Sequence, residues 1–270
     1  MNKIKTKDAL GREIMDQSRH LFVYGFDTEE RKEFLKTTAD AYPVSIGAKT
    51  PAGIYISEPG LKEAESLGSL SKDIITIYHR DYLNTLIAKY LIKKVITDVE
   101  LLQINQELLS EFIDRFNKLY LNKVRASVTD LKNIDNLLAE GLEVYSNEWK
   151  NYIASGKTGD IHSAIPVSMH LLEHFVKHLK LMFQMNSYFG VIIDADAKLS
   201  TPSKMAVNSL VNARINSDLS IKVACTPEDW EVYKTPDSGY IQASHDYGEV
   251  ELDDSARLHL SKLKEKYLKI

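Results

Sequence analysis

The sequence predicts an α/β fold whose mostly parallel sheet is covered by helices on both faces. Residues 20–24 and 189–193 are short apolar runs typical of buried strands, and a segment with helical spacing follows each of them. Strands that alternate with helices along a chain favour parallel pairing through crossover helices. Three further strands are predicted at 44–46, 53–56 and 219–224.

Residues 72–153 predict a long all-helical insertion into this sheet. The segment contains no proline, and its apolar residues recur at helical spacing. We therefore divide the chain into an α/β core, residues 1–71 and 154–270, and a helical insertion, residues 72–153. The spacing also predicts helices at 28–42, 166–185, 202–215 and 255–269, and residues 239–252 predict one or two short strands.

Charge and cysteine content limit the classes of partner and compartment. The chain has 270 residues, 34 of them basic and 38 acidic, and a formal net charge of -4. Nonspecific nucleic-acid binding usually requires a basic excess, so we expect such contact only through a partner or a local patch. Cys225 is the only cysteine, and residues 1–20 lack the apolar run of a signal peptide. These features favour a cytoplasmic protein without membrane contact.

The junction after the first predicted strand can be compared with the phosphate-binding P-loop, whose pattern is G-x-x-x-x-G-K-[ST]. Gly25 keeps the first glycine, whereas Glu30, Arg31 and Lys32 stand in place of the second glycine, the lysine and the hydroxyl residue. Carboxylates there would repel phosphoryl oxygens, at a cost of about 4 kcal/mol for each unit pair at ~4 Å and an effective dielectric near 20. Ordinary Mg-ATP binding is therefore not expected.

The strand at 189–193 leads into a second acidic motif. Asp194 ends this apolar run, in the position where P-loop ATPases hold Mg²⁺. The next residue in those enzymes is normally a glutamate that activates water, but here it is Ala195. Asp196 would point to the other side if the strand continued. The pattern keeps the metal-binding acid and lacks the catalytic one.

With these motifs, the chain resembles bacterial AAA+ ATPases of the origin-recognition type, with degenerate Walker A and Walker B motifs. Its specific residues lie mainly in 189–252, including the segments 189–202, 221–223, 233–235 and 244–247. The resemblance implies a P-loop NTPase-like, AAA+-like parallel sheet flanked by helices. It also implies ATP and Mg²⁺ as ancestral ligands and assembly with other subunits.

The resemblance further implies roles for individual residues. Asp194 would be the Mg²⁺ ligand, Thr226 the polar sensor after the fourth strand, and Arg214 an arginine that acts in trans on a neighbouring subunit. Gly25, Arg31 and Lys32 would complete a vestigial nucleotide site. Because the substituted positions carry the chemistry, no catalytic residue is assigned.

A rival motif is His170-Leu-Leu-Glu173-His174, which matches the H-x-x-E-H pattern of zinc hydrolases. On a helix, His170 and His174 lie one turn apart and could share a zinc ion, with Glu173 as general base and a distant glutamate, such as Glu251, as a third ligand. The same helical geometry places the two histidines and His178 opposite the apolar stripe, which favours a solvent-exposed face.

Three functions therefore remain open at this stage. The leading hypothesis is a non-hydrolysing AAA-like scaffold or regulatory subunit that binds a protein partner or itself, with no bound cofactor. The second is a functional ATP-binding AAA ATPase with an unusual P-loop, serving DNA replication, transposition or phage defence. The third is a zinc hydrolase.

Overall fold

The computed structural model describes residues 6–25, 28–57, 60, 72–99, 105–120, 128–157, 167–195, 199–213, 218–226, 230, 233–235 and 239–268. Within these ranges the strands are β1 (Leu21–Tyr24), β2 (Ala52–Ile56), β3 (Phe189–Asp194), β4 (Leu219–Cys225) and β5 (Gly248–Glu251). They form one sheet in the order β2-β3-β4-β1-β5, and neighbouring strands are parallel. The predicted parallel sheet is confirmed.

The helices of the same ranges are α1 (Lys7–Met15), α2 (Thr28–Asp40), α3 (Lys72–Asp98), α4 (Gln106–Tyr120), α5 (Leu131–Ser155), α6 (Met169–Met182), α7 (Thr201–Asn212) and α8 (Asp254–Leu268). Six of them begin at a residue whose side-chain oxygen accepts a backbone N–H of the first turn. These N-caps are Thr6, Asn105, Asp130, Ser168, Ser200 and Asp253. None of the described helices combines the length and apolar character needed to cross a membrane.

The sheet separates two apolar cores, and the alternation of side chains along each strand decides which core a residue joins. In β1, Leu21 and Val23 pack with α1 and α2, whereas Phe22 and Tyr24 pack in the core that contains α3, α6 and α7. β3 and β4 are buried along their whole length, as expected for strands covered on both faces.

Helix α3 shares the core of the sheet. Its buried Leu83 and Ile87 belong to one apolar cluster with Ile54 of β2 and Val207 of α7. An aromatic cluster joins α3 to α5, and it contains Tyr78, Tyr145, Trp149 and Tyr152. Helix α3 is thus packed on the sheet and α5 is packed on α3, and treating residues 72–153 as a separate insertion stays a prediction.

The structure differs from the sequence prediction at two places. Residues 44–46 are not a strand, because the Val44 N–H donates to Asp98 Oδ2 at 2.8 Å and Gly47 turns the chain with a positive φ of 71°. Helix α1 was not predicted, although its buried residues Leu10, Gly11, Ile14 and Met15 recur at helical spacing.

Lys222 is a fully buried cation in the middle of β4. Its Nζ donates to the carbonyl oxygens of Gln17 and Arg19, in the connection between α1 and β1. Burial, and secondarily the positive charge of Arg19, lowers the pKa of Lys222 to about 7. The ammonium form is therefore disfavoured in the folded state.

We expect this lysine to make stability rise with pH between about pH 7, its pKa in the folded chain, and about pH 10.5, the ordinary pKa of lysine. In that range the unfolded chain holds a proton on Lys222 that the folded chain has released, so raising the pH favours folding. The contribution is at most about 1.4 kcal/mol per pH unit. This stabilisation is fully present above the pKa that Lys222 has in the unfolded chain, and it is lost as the pH falls through about 7.

Urea denaturation at several pH values, compared between the wild type and Lys222→Met, measures this contribution. The difference between the two free energies of unfolding should change with pH in the stated range. Lys36→Met, which changes an exposed lysine, should leave the slope of the wild type intact. Equal slopes for the wild type and Lys222→Met would contradict the lowered pKa.

Candidate functional site

The carboxyl ends of three neighbouring strands bring together residues that lie far apart in the sequence. Asp194 ends β3, Thr226 follows β4 and Gly25 follows β1. Because β4 lies between β3 and β1, these positions lie close together at the carboxyl end of the sheet. Ligands of open α/β sheets bind just outside the carboxyl ends of the strands.

A buried ion pair lies at the carboxyl end of the sheet. Arg31 Nε donates to Asp194 Oδ1 at 2.9 Å, and the two side chains are 0% and 1% exposed. The Tyr55 hydroxyl donates to the other carboxylate oxygen, Oδ2, also at 2.9 Å. Both oxygens of Asp194 are therefore engaged by donors of the chain itself.

Strand alternation explains why these three residues meet. Ile192, two residues before Asp194, belongs to the core on the α2 side of the sheet, so Asp194 faces the same side. Tyr55 of β2 packs against that core as well. Arg31 lies in the first turns of α2 and reaches the strand ends from above this face.

The guanidinium of Arg31 is only partly satisfied. Nε donates to Asp194, whereas the buried Nη1 and Nη2 have no hydrogen-bond partner among the residues that the structure describes. Leaving a buried donor unpaired costs about 1–3 kcal/mol. The residue in the lysine position of the P-loop pattern therefore provides a positive charge with unused donors.

Tyr55 remains a hydrogen-bond donor at any ordinary pH. Burial first, and then the charge of Asp194 and the hydrogen bond to it, raise the pKa of Tyr55 well above its usual value. The neutral phenol is the form that can donate to the carboxylate.

A second carboxylate lies against Gly25. The backbone of Gly25 has a φ of +120°, and a Cβ placed there would come within 2.6 Å of Asp253 Oδ2. Oδ1 of the same side chain accepts the N–H of Ala256 in the first turn of α8. Asp253 was missed by the sequence analysis, although an aspartate just before a helix is a recognisable N-cap.

The remaining charged residues of the motif face outwards. Lys32 lies 3.4 Å from Glu29, and Glu30 pairs with Lys7 at 2.9 Å. Lys32 therefore contributes to a surface ion pair and does not join Asp194. Glu29 and Glu30 lie in the first turn of α2, where the helix dipole favours negative side chains.

The other residues predicted for the nucleotide site are placed only in part. Ala195 is buried, and its N–H donates to the carbonyl of Ala224 in β4 at 2.8 Å. Thr226 takes the position directly after β4. Asp196 and Arg214 lie outside the described residues, so the role of Arg214 stays a prediction.

The zinc-hydrolase motif does not gather the expected ligands. His170 and His174 lie on the outer face of α6, but Glu251 of β5 pairs with Arg257 at 3.6 Å. Among the described residues, no group of three or more histidine, cysteine or acidic side chains could hold a metal ion. Within the described ranges, Glu251 therefore does not complete a zinc site with His170 and His174, and the zinc hydrolase stays a prediction.

A buried polar contact that the sequence did not predict joins α3 to α7. His79 Nδ1 lies 2.7 Å from Ser203 Oγ, which in turn accepts a hydrogen bond from the Ser200 hydroxyl. Burial lowers the pKa of His79 to about 4, so the ring is neutral at physiological pH. Both side chains are almost completely buried, which indicates a structural contact and not a nucleophilic pair.

Comparison with known families supplies the classification. Searches of curated proteins and of solved structures found no match. A model of the ORC-CDC6-like family matches residues 45–263, which include Asp194 and Thr226 but not Gly25 or Arg31. This match extends over most of the chain, and the parallel sheet with flanking helices agrees with an AAA+-like fold. The chain belongs to the ORC-CDC6-like family.

Proposed function

We propose that this chain is an AAA-like subunit that does not hydrolyse ATP and acts as a scaffold or regulator by binding other proteins or further copies of itself. The observation that supports it is the buried pair between Arg31 and Asp194. The carboxylate that would hold Mg²⁺ already faces a positive charge of the chain, and its second oxygen accepts the Tyr55 hydroxyl.

Magnesium would have to displace this pair. Asp194 would release Arg31, and the guanidinium would then be buried without a carboxylate. Breaking a buried pair in this way costs about 3–5 kcal/mol. A metal ion bound beside the retained guanidinium would instead bring two positive charges together. Both routes weaken metal binding.

The surroundings of Gly25 are also unfavourable for a triphosphate. The carboxylate of Asp253 lies against this glycine, and Glu29 and Glu30 stand in the first turn of α2. Helix α2 begins at Thr28, so only residues 25–27 connect it to β1. A P-loop needs a longer connection whose backbone N–H groups wrap around the phosphates.

Exposed apolar side chains support a role in binding proteins. Leu181, near the end of α6, is 57% exposed, and Ile46 is 44% exposed. The segments that carry them are joined by the Gly47 N–H, which donates to the Phe183 carbonyl at 2.9 Å. We propose a protein partner or a homo-oligomer in the cytoplasm, with nucleic acid reached through that partner or through a local patch.

We expect the purified protein to show no saturable Mg-ATP binding below about 1 mM in isothermal titration and no ATP turnover above background. The physical reason is that Asp194 is already neutralised within the fold. Clear turnover in the wild type that disappears in Asp194→Ala would overturn the proposal.

A second function, a working ATP-binding AAA ATPase, is favoured by one observation. The buried Nη1 and Nη2 of Arg31 have no partner within the described part of the chain, and each could donate to a phosphate oxygen. This hypothesis predicts micromolar binding of ATP that Arg31→Met abolishes. The same titration therefore separates the two functions.

The ion pair should also dominate the stability of the site. We expect Asp194→Asn to lower the free energy of unfolding by about 3–5 kcal/mol, because it leaves a buried guanidinium without its counter-charge. Adding Arg31→Met to that variant should restore part of the loss, since the uncompensated charge is then removed. Urea denaturation followed by circular dichroism measures all three proteins.

Lys32→Met is the matched control for this comparison. It breaks the exposed ion pair between Lys32 and Glu29, and such pairs contribute about 0–1 kcal/mol. A loss in Asp194→Asn no larger than that of the control would show that the buried pair does not hold the site together.

A further inference from the structure

Three histidines form a row on the outer surface of α6, away from the site at the strand ends. His170, His174 and His178 follow one another at intervals of one helical turn. His170 is exposed, and the other two are half-buried. The AAA-like scaffold function makes no use of this row.

The first two histidines have the geometry of a metal-binding pair. Their Nε2 atoms lie 3.1 Å apart, and their ring planes are 85° to each other. Two zinc–nitrogen bonds of about 2.0–2.1 Å that end on atoms at this separation enclose an angle of roughly 100°, close to the tetrahedral value. A metal ion could therefore replace the proton that the two rings now share, without moving the helix.

The third histidine is engaged elsewhere. His178 Nδ1 lies 2.6 Å from the carbonyl oxygen of His174, and its Nε2 lies 2.7 Å from Arg115 Nη1 of α4. A carbonyl only accepts and a guanidinium only donates, so Nδ1 carries the proton and the Nε2 lone pair is used by Arg115. His178 is therefore an internal control for the other two.

We propose that His170 and His174 bind one divalent transition-metal ion of the zinc type through their Nε2 atoms, with water in the remaining positions. Glu173 lies 3.8 Å from His170 Nδ1, on the side where carboxylates commonly orient a metal-bound histidine. Two protein ligands and open positions make this a binding site for the ion and not a structural zinc centre.

Charged side chains lie around the histidine row on α6. Lys177 is exposed, and Glu173 lies 3.8 Å from His170 Nδ1. Across the helix interface, the charge of Arg115 is offset by its ion pair with Glu111.

The test uses the full chain without an affinity tag and titrates it with Zn²⁺ at about pH 7.5 in isothermal titration calorimetry. We expect one ion per chain, and a loss of affinity of at least about tenfold in both His170→Gln and His174→Gln. His178→Gln should bind as the wild type does. Unchanged circular dichroism spectra show that these surface variants are folded.

A second measurement identifies the ligands directly. Cu²⁺ bound to the wild type should show electron paramagnetic resonance couplings to two imidazole nitrogens, and to fewer in His174→Gln. The proposal is overturned if the wild type does not saturate below about 1 mM metal. It is equally overturned if His178→Gln loses as much affinity as His174→Gln, or if neither ligand variant loses any.

Discussion

The arrangement at the carboxyl end of the sheet depends on one interaction. The buried charge of Asp194 has to be neutralised, and Arg31 neutralises it. The pair joins α2 to β3, and Tyr55 adds β2 to the same carboxylate. Replacing a buried ion pair by apolar residues is often neutral for stability, whereas removing one partner is costly. The pair therefore fixes where α2 lies over the strand ends more than it adds to the stability of the fold.

The same face of the sheet holds a second buried cation, and the contrast between the two is informative. Lys222 donates to backbone carbonyl oxygens near the amino end of β1, where the described contacts provide partial charges only. Its pKa falls to about 7, so it can lose its charge. Arg31 cannot be deprotonated in this way and needs a full counter-charge, which Asp194 provides.

The sequence predicts those parts of the fold that local pattern decides. The apolar runs of β3 and β4 and the helical start at Thr28 follow from composition and spacing, and the structure confirms them. Contacts between distant segments cannot be predicted from local pattern. Arg31 and Asp194 are 163 positions apart, and their contact depends on strand alternation and on the placement of α2. The position of Asp253 beside Gly25 likewise requires β5 to lie next to β1.

Family membership and site chemistry rest on different parts of this chain. The match to the ORC-CDC6-like family begins at residue 45, so it includes the acid-ended strand β3 and excludes the segment with Gly25 and Arg31. The family match therefore accounts for β2, β3, β4 and β5, and the unmatched segment provides β1 and the charge that neutralises Asp194. Because Asp194 is satisfied within the chain, α2 and the strand ends are held in a fixed arrangement, which supports the proposed role in contact with other proteins.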